Sequence, residues 1–328
     1  MNKEFLKALS KRITSSLITL FFLISFLFIL IRISPGDPTQ KFLSAEFSPE
    51  LIKKITADFK LDRPLYEQYL NFVVNIFQGD LGISYNYRMP VLNVVWQFLS
   101  FTLLFALISF IIQMIVSFFL ALKSIRKKGK TFDKVVSKFS LIIYATPAFV
   151  LGVFLIYIFS VQLNLFPSSG AKSLDIGSFT VAGKIGDYFW HLTLPLITLS
   201  SAGIAMYYKY LRDNLEEIYQ QPFIINLRAS GYEEKVILKK HVLPNAVRPL
   251  ISVAGVDLGL LLGGALITEI IFGLPGMGRL MMSSIFERDY PLIIGCAFIA
   301  GLLIIVTNLL ADLLKMKLDK RMIKGLIN

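Results

Sequence analysis

Apolar residues in this chain do not alternate with polar ones; they run together. Stretches of about 20 residues with almost no charge recur, the length a helix needs to cross a bilayer. They fall near 13–33, 98–122, 137–160, 190–211, 247–272 and 291–314. A soluble domain of this size would break its apolar positions into strand or helix periods. The pattern therefore predicts an all-α polytopic membrane protein with about six transmembrane helices.

Between the first two spans, the pattern predicts two short helices. "SPELIKKITADFK" offers Ser48 as a cap, Pro49 in the first turn and Glu50 near the start. "RPLYEQYLNFVVNIFQGD" follows the same logic and stops at Gly79. These helices either cover the outer mouth of the bundle or merely tether the first span. The chain thus divides into 1–97, the first span with its extramembrane helices, and 98–328, a five-helix core. A polar loop around 212–248 interrupts that core.

Composition sharpens this picture. Of 328 residues, 55% are hydrophobic and 17% charged, and the net charge is +12. A nucleic-acid partner is not implied, because Lys and Arg are scattered over short loops instead of striping one helix. Positive loops are retained in the cytoplasm, which explains the excess more simply. The N-terminus, residues 123–134, the 209–248 segment and the tail with Lys315, Lys317, Lys320, Arg321 and Lys324 are the basic regions. With an even number of spans they all share one side, which places both termini in the cytoplasm. Lys3, Lys7, Lys11 and Arg12 precede the first span as in a signal peptide. Its core is longer than a signal core, however, and "IRISPGDP" carries no small-x-small cleavage site, so an uncleaved anchor is expected. The single Cys296 sits in an apolar run and reads as packing.

One polar cassette stands out between two apolar spans: "RASGYEEKVILKKHVLPNA", residues 228–246. Gly231 permits a sharp turn. After it, two acids open a helix and three bases lie near its end, both placements matching the helix dipole. Pro244 is expected to limit that helix, and Pro222 to interrupt the one before the turn. Val236, Ile237 and Leu238 would form an apolar ridge. The ridge either lies in the membrane interface or docks into a groove on a cytoplasmic partner.

The cassette resembles the cytoplasmic coupling loop of binding-protein-dependent ABC importer permeases, most of all their dipeptide/oligopeptide/nickel branch. Arg228, Ala229, Gly231, Val236, His241, Leu243, Asn245, Ala246 and Pro249 stand where that pattern has its marked residues. Leu227 and Ser230 depart from it, where Ala and Lys are usual. The likeness extends through "ISPGDP", "LDRPLYEQY", "GDLGIS", "YATPAFVLGVFLIYIFS", "LPLITL", "LLGGALITEIIFGLPGMGRLMMSSIFERDYPLI" and "NLLADLLKMKLDKR", nearly the whole chain in order.

The resemblance implies the transmembrane-domain fold of a type I ABC importer in a bacterial cytoplasmic membrane. It implies a second homologous permease, two cytoplasmic ATPase subunits that bind the ATP and Mg, and an extracytoplasmic substrate-binding protein. The cargo would be a peptide, nickel or another metal chelate. Arg228, Ala229, Gly231, Glu234 and Leu238 would lie at the ATPase contact. His241 belongs to the motif, but one His with no second ligand makes no metal site. "GLPGMGR" lacks phosphate-loop spacing and no ATPase motif occurs in the chain, so energy must come from another polypeptide. An ion-coupled carrier working alone would show related halves, and no convincing inverted repeat is present. An intramembrane hydrolase would need a catalytic pair that no motif supplies.

Some residues in the last two spans have readings of their own. Gly255, Gly259 and Gly263 share one helix face and would let another helix approach closely. Asp257 lies about 200° round from them. It either lines the pathway and meets a cation on the substrate, makes a structural hydrogen bond, or sits nearer the interface than drawn. Glu269 and Asp312 lie near span ends and are expected to tie to neighbouring loops. Pro147 and Pro195 are expected to bend their spans or mark span ends.

Overall fold

The computed structural model describes residues 3–33, 64–263 and 265–318, and these are overwhelmingly helical. The helices are α1 (Lys3–Ile33), α2 (Leu65–Phe77), α3 (Val91–Arg126), α4 (Thr131–Ala145) and α5 (Ala148–Leu155, prolonged by a wider π-type turn over Ile156–Gln162). They continue with α6 (Val181–Tyr219), α7 (Pro222–Ala229), α8 (Glu234–Val236, running into a π-type turn over Ile237–Val242) and α9 (Leu243–Gly263). Three more complete the described chain: α10 (Leu266–Ile271), α11 (Met277–Phe286) and α12 (Tyr290–Leu318).

Within α1, α3, α6 and α12 lie four stretches long and apolar enough to cross a bilayer, and α4 with α5 make a fifth if the bent pair counts as one span. That pair turns by 104° at Thr146–Pro147. Proline disfavours helical geometry in the residue before it, and Thr146 is indeed extended there, at ψ 123°. Pro195 acts differently: α6 continues past it as one helix of 39 residues, so it marks no end. The span drawn over 247–272 is also revised. Its helix stops at Gly263, and α10 begins anew at Leu266. Of the two expected extramembrane helices, α2 is present and ends beside Gly79 at φ 79°. The one over 48–60 lies outside the described residues.

The bundle centres on α3, α6, α9 and α12. On α3, the buried stripe includes Thr102, Ser109, Gln113, Ser117 and Ser124, with Phe105 and Ala121 between them. Its outward face carries Leu104, Leu107, Ile111, Ile115 and Phe119. This reverses a soluble helix, because lipid is as apolar as Leu and small or hydrogen-bonding residues favour helix contact. Ser109 and Ser200 join α3 to α6 at 2.9 Å. A turn away, a Cβ on Gly203 would overlap the Gln113 amide, so the glycine sets how close the two helices come.

Gly255 and Gly259 do the same for α9 against α12. A side chain at the first would strike Ala311, and at the second Thr307. The expected close-packing face is therefore present at these two positions. Gly263 lies on the same face by spacing and closes the helix.

Connectivity sorts the loops to two ends. The turn after α3, the α6–α9 connection and the end of α12 lie at one, together with the start of α1. There Arg12 pairs with Asp312 at 3.3 Å, so Asp312 ties to a helix where a loop was expected. The basic α3–α4 turn and α6–α9 connection thus lie at a single end with the start of α1 and the described end of α12. Residues 163–180 and 272–290 meet at the opposite end, where the Gly170 amide donates to the Phe272 carbonyl at 2.8 Å. Cys296 is fully buried among Val91, Val95 and Leu292.

Candidate functional site

At the basic end, α6 stops at Tyr219 and the chain re-enters helix at Pro222, the first residue of α7. Proline suits that position, since the first helical amides have no acceptor anyway. Eight residues later α7 is closed by a Schellman motif. Gly231 takes φ 81°, its amide donates to Arg228 at 3.0 Å, and the Tyr232 amide reaches back to Leu227 at 3.2 Å. A glycine in the left-handed region satisfies two carbonyls that α7 would leave orphaned.

Across this turn, Arg228 grips Glu234 with two hydrogen bonds, at 3.1 and 3.0 Å. The same guanidinium lies over the Tyr219 ring, 5.5 Å from its centre. The hydrogen bonds from Arg228 hold the Glu234 carboxyl below the ordinary carboxylate range. One clamp thereby joins the end of α6, α7 and α8.

The ridge does not face outward. Ile237 and Val242 are fully buried and Leu238 is 5% exposed, packed with Leu211, Leu215, Ile224 and Ala246. Leu238, expected on the contact surface, is instead one of the residues seating the loop on the bundle. Arg228, Ala229, Gly231 and Glu234 remain exposed. Pro244 does not stop the helix either. Proline is tolerated in a first turn, and the chain stays helical from Glu234 through the π-type turn into α9. His241 and Asn245 belong to this continuous stretch: Asn245 donates to the His241 carbonyl at 2.7 Å, and the His241 ring meets Tyr232 edge-on. Leu243 is partly buried against the same core.

Behind the loop lies a network the sequence reading missed. Arg212 on α6 holds Asp133 on α4 in a two-pronged pair at 2.8 and 3.0 Å, and reaches Glu216 at 2.9 Å. Lys128 also reaches Glu216, at 2.9 Å, and the Gly129 amide donates to Asp133 at 3.0 Å. The spacing of Arg212 and Glu216, four apart at a span end, was the available signal. Together these residues bind the α3–α4 turn to the base of the loop.

Within the bundle, Asp257 accepts a 2.6 Å hydrogen bond from Tyr207, whose side chain is fully buried. At the opposite end, Glu269 is wholly buried. It accepts from Thr102 at 2.7 Å, the Gly278 amide at 2.8 Å and the Arg279 amide at 3.1 Å. The last two amides open α11, so the carboxylate sits where the helix dipole favours it. Like Asp312, Glu269 ties to helices, α3 and α11, where a loop was expected. Asp289, which sequence reasoning passed over, does likewise for α12. It accepts from Leu292, Ser84 and the Asn86 amide, at 3.3, 2.5 and 3.0 Å. An Asp directly before Tyr290-Pro291 was a readable cap.

Comparison with known proteins places this arrangement. Residues 113–324 match the family described as binding-protein-dependent transport system inner membrane component, and residues 5–106 match its N-terminal companion family. The oligopeptide transport system permease protein AppB of Bacillus subtilis is 33% identical over 295 residues, covering 90% of this chain and 92% of its own. The dipeptide transport system permease protein DppB of Escherichia coli K12 is 31% identical over 304 residues, covering 88% and 90%. The glutathione transport system permease protein GsiC of Shigella flexneri is 30% identical over 304 residues, covering 93% and 94%.

Among solved structures, the inward-facing MetNI methionine ABC transporter superposes with TM-score 0.54 at 16% identity, over 69% of this chain and 96% of that one. An amino acid ABC transporter with histidines gives 0.54 at 18%, over 69% and 94%. At such identities these two establish the fold, that of an ABC importer transmembrane domain. The chain belongs to the binding-protein-dependent transport system inner membrane components: it is a permease subunit of an ATP-driven importer whose ATPase is carried on separate subunits.

Proposed function

We propose that this permease forms half of a translocation pathway for peptides in the bacterial cytoplasmic membrane, and that the Gly231 loop couples it to the ATPase. A second homologous permease supplies the other half. Two ATPase subunits bind ATP and Mg at the basic end, which is the cytoplasmic one, and an extracytoplasmic binding protein delivers the cargo. The peptide reading follows the relatives, whose names specify oligopeptides, dipeptides and glutathione.

The observation that carries the coupling reading is mechanical. A lever transmits motion only if neither its turn nor its root bends. Here the turn is closed by two backbone hydrogen bonds and the Arg228–Glu234 clamp. The root is buried through Ile237, Leu238 and Val242 and passes without interruption into α9. Push on α7 would therefore reach Asp257 and the α9–α12 pair as a rigid displacement. Arg228, Ala229, Gly231 and Glu234 present the contact, while Leu238, His241, Leu243 and Asn245 hold it in place.

Cysteine crosslinking from Ala229 in the assembled transporter tests this, together with replacement of residues 228–234 by a glycine-serine stretch. Crosslinks to the ATPase and loss of ATP-driven uptake are expected. Crosslinks that never reach the ATPase, or uptake that survives the replacement, would refute the lever.

A further inference from the structure

Asp257 lies deep in α9, and its described surroundings leave it half served. Leu243 starts α9 at the basic end, so Asp257 lies roughly 21 Å along a helix rising 1.5 Å per residue. That is within the hydrocarbon layer, about 30 Å thick. Its Oδ2 accepts from Tyr207, but Oδ1 has no hydrogen-bond partner among the described residues, and no described Lys, Arg or His pairs with it. The side chain is only partly buried.

The orientation follows from the rest of α9. Gly255 and Gly259 press against Ala311 and Thr307 of α12. Asp257 lies roughly 200° from that contact by helix geometry, and Leu260, a turn on, is 59% exposed. Val253 and Leu250, one and two turns before Asp257, pack against the core, so this face opens only from Asp257 onward. A charged group facing lipid at such depth costs several kcal/mol, so an intramembrane carboxylate faces protein or water. Tyr207 does not remove that demand, since one neutral hydroxyl satisfies only one of several lone pairs.

We infer that Asp257 is a station in the translocation pathway for a cationic nitrogen of the passing solute, with Tyr207 fixing the carboxylate so that Oδ1 points into the path. Resting on the peptide reading above, the cation is the ammonium terminus, which every unmodified linear peptide carries. A carboxylate offers it charge-assisted hydrogen bonds where water is scarce. A purely structural role for the Asp257–Tyr207 bond makes the opposite demand: any acceptor of the same shape would serve.

Those two demands separate in three variants. Asp257→Asn keeps shape and an acceptor for Tyr207 but removes the charge. Asp257→Glu keeps the charge, and Tyr207→Phe removes the tie. The probe is uptake of labelled di- to pentaalanine by the full transporter reconstituted with its binding protein, after a melting curve shows each variant folded. Asp257→Asn is expected to lower uptake about tenfold, with Asp257→Glu restored to within about threefold of wild type. Tyr207→Phe should lose less than Asp257→Asn.

Wild-type uptake in Asp257→Asn overturns the inference, as does an equal loss in the Asn and Glu variants, which would mark shape and not charge. If the wild-type complex imports none of these peptides, the peptide reading fails first, and the ammonium station falls with it.

Discussion

The two ends of this bundle are fastened by opposite chemistry. At the end opposite the basic loops, Glu269 and Asp289 are fully buried and satisfied by uncharged donors, the amides that open α11 and α12 and the hydroxyls of Thr102 and Ser84. At the basic end, carboxylates meet cations: Asp133 and Glu216 with Arg212 and Lys128, Glu234 with Arg228. Hydrogen bonds to fixed backbone donors allow one geometry. Exposed ion pairs such as Arg228–Glu234 hold more loosely and weaken with salt, while Asp133–Arg212 is buried at 5% and 16% exposure and ties the α3–α4 turn down behind them. The Glu269–Asp289 end is built as a fixed corner, whereas the basic end leaves an exposed, clamped turn on a root held by Ile237, Leu238 and Val242.

Breaking the Glu269 corner should therefore do the most damage. Glu269→Ala leaves the Thr102 hydroxyl and the Gly278 and Arg279 amides without their acceptor inside the protein. Each unpaired buried group costs about 1–3 kcal/mol, so a total of about 3–5 kcal/mol is expected, with little folded protein recovered in detergent. A melting temperature like that of wild type would show that the corner is not what fixes this end.

Packing in the middle comes next. Gly255→Ala drives a Cβ into the Ala311 methyl, and overpacking of that kind costs about 1–3 kcal/mol. Adding Ala311→Gly should return most of the melting temperature. If the double variant is no better than the single, the α9–α12 contact is not what the glycine serves.

How much of this was readable beforehand depended on how far each signal reached along the chain. Lipid-crossing stretches are local and long, so α1, α3, α6 and α12 were placed from apolar runs alone. The turn at Gly231 was legible for the same reason, since one residue's backbone angles decide it. Pro147 was legible as a bend, whereas Pro244 misled and Pro195 marked no span end, because a proline's effect depends on whether its neighbours supply what the helix loses. The facing of the ridge was not legible. Ile237 and Leu238 form an apolar pair that suits a partner's groove or the chain's own core, and only the fold shows Leu211 and Leu215 waiting for them. The Arg212–Asp133 pair and the Asp257–Tyr207 bond join residues 79 and 50 positions apart, beyond any local pattern.

At the basic end, Gly231→Ala isolates the turn. A Cβ there meets nothing within 4 Å, so the cost is backbone strain alone, about 1–2 kcal/mol in the left-handed region. The melting temperature of the assembled transporter should barely move, because the buried root is untouched. Uptake per ATP hydrolysed should fall several-fold if the turn is the lever's joint. Unchanged coupling would shift the stiffness entirely to the α9 root.

The smallest effect belongs to the clamp itself. Glu234 titrates below the ordinary carboxylate range because Arg228 holds it ionised. A group whose folded pKa is depressed contributes stability above its unfolded value, and that contribution is lost as pH falls through the folded one. The clamp is thus intact at neutral pH and loosens only in acid, below about 4.3. With Arg228 46% and Glu234 56% exposed, the pair is worth about 0–1 kcal/mol. Glu234→Gln should therefore leave melting within a degree or two of wild type at pH 7 and abolish any acid-dependent loosening of the loop, read as hydrogen exchange at the Gly231 and Tyr232 amides. The same exchange rates in both proteins at pH 7, where the wild-type clamp is intact and the variant lacks it, would remove Arg228–Glu234 from the account and leave the Schellman turn to hold the loop alone.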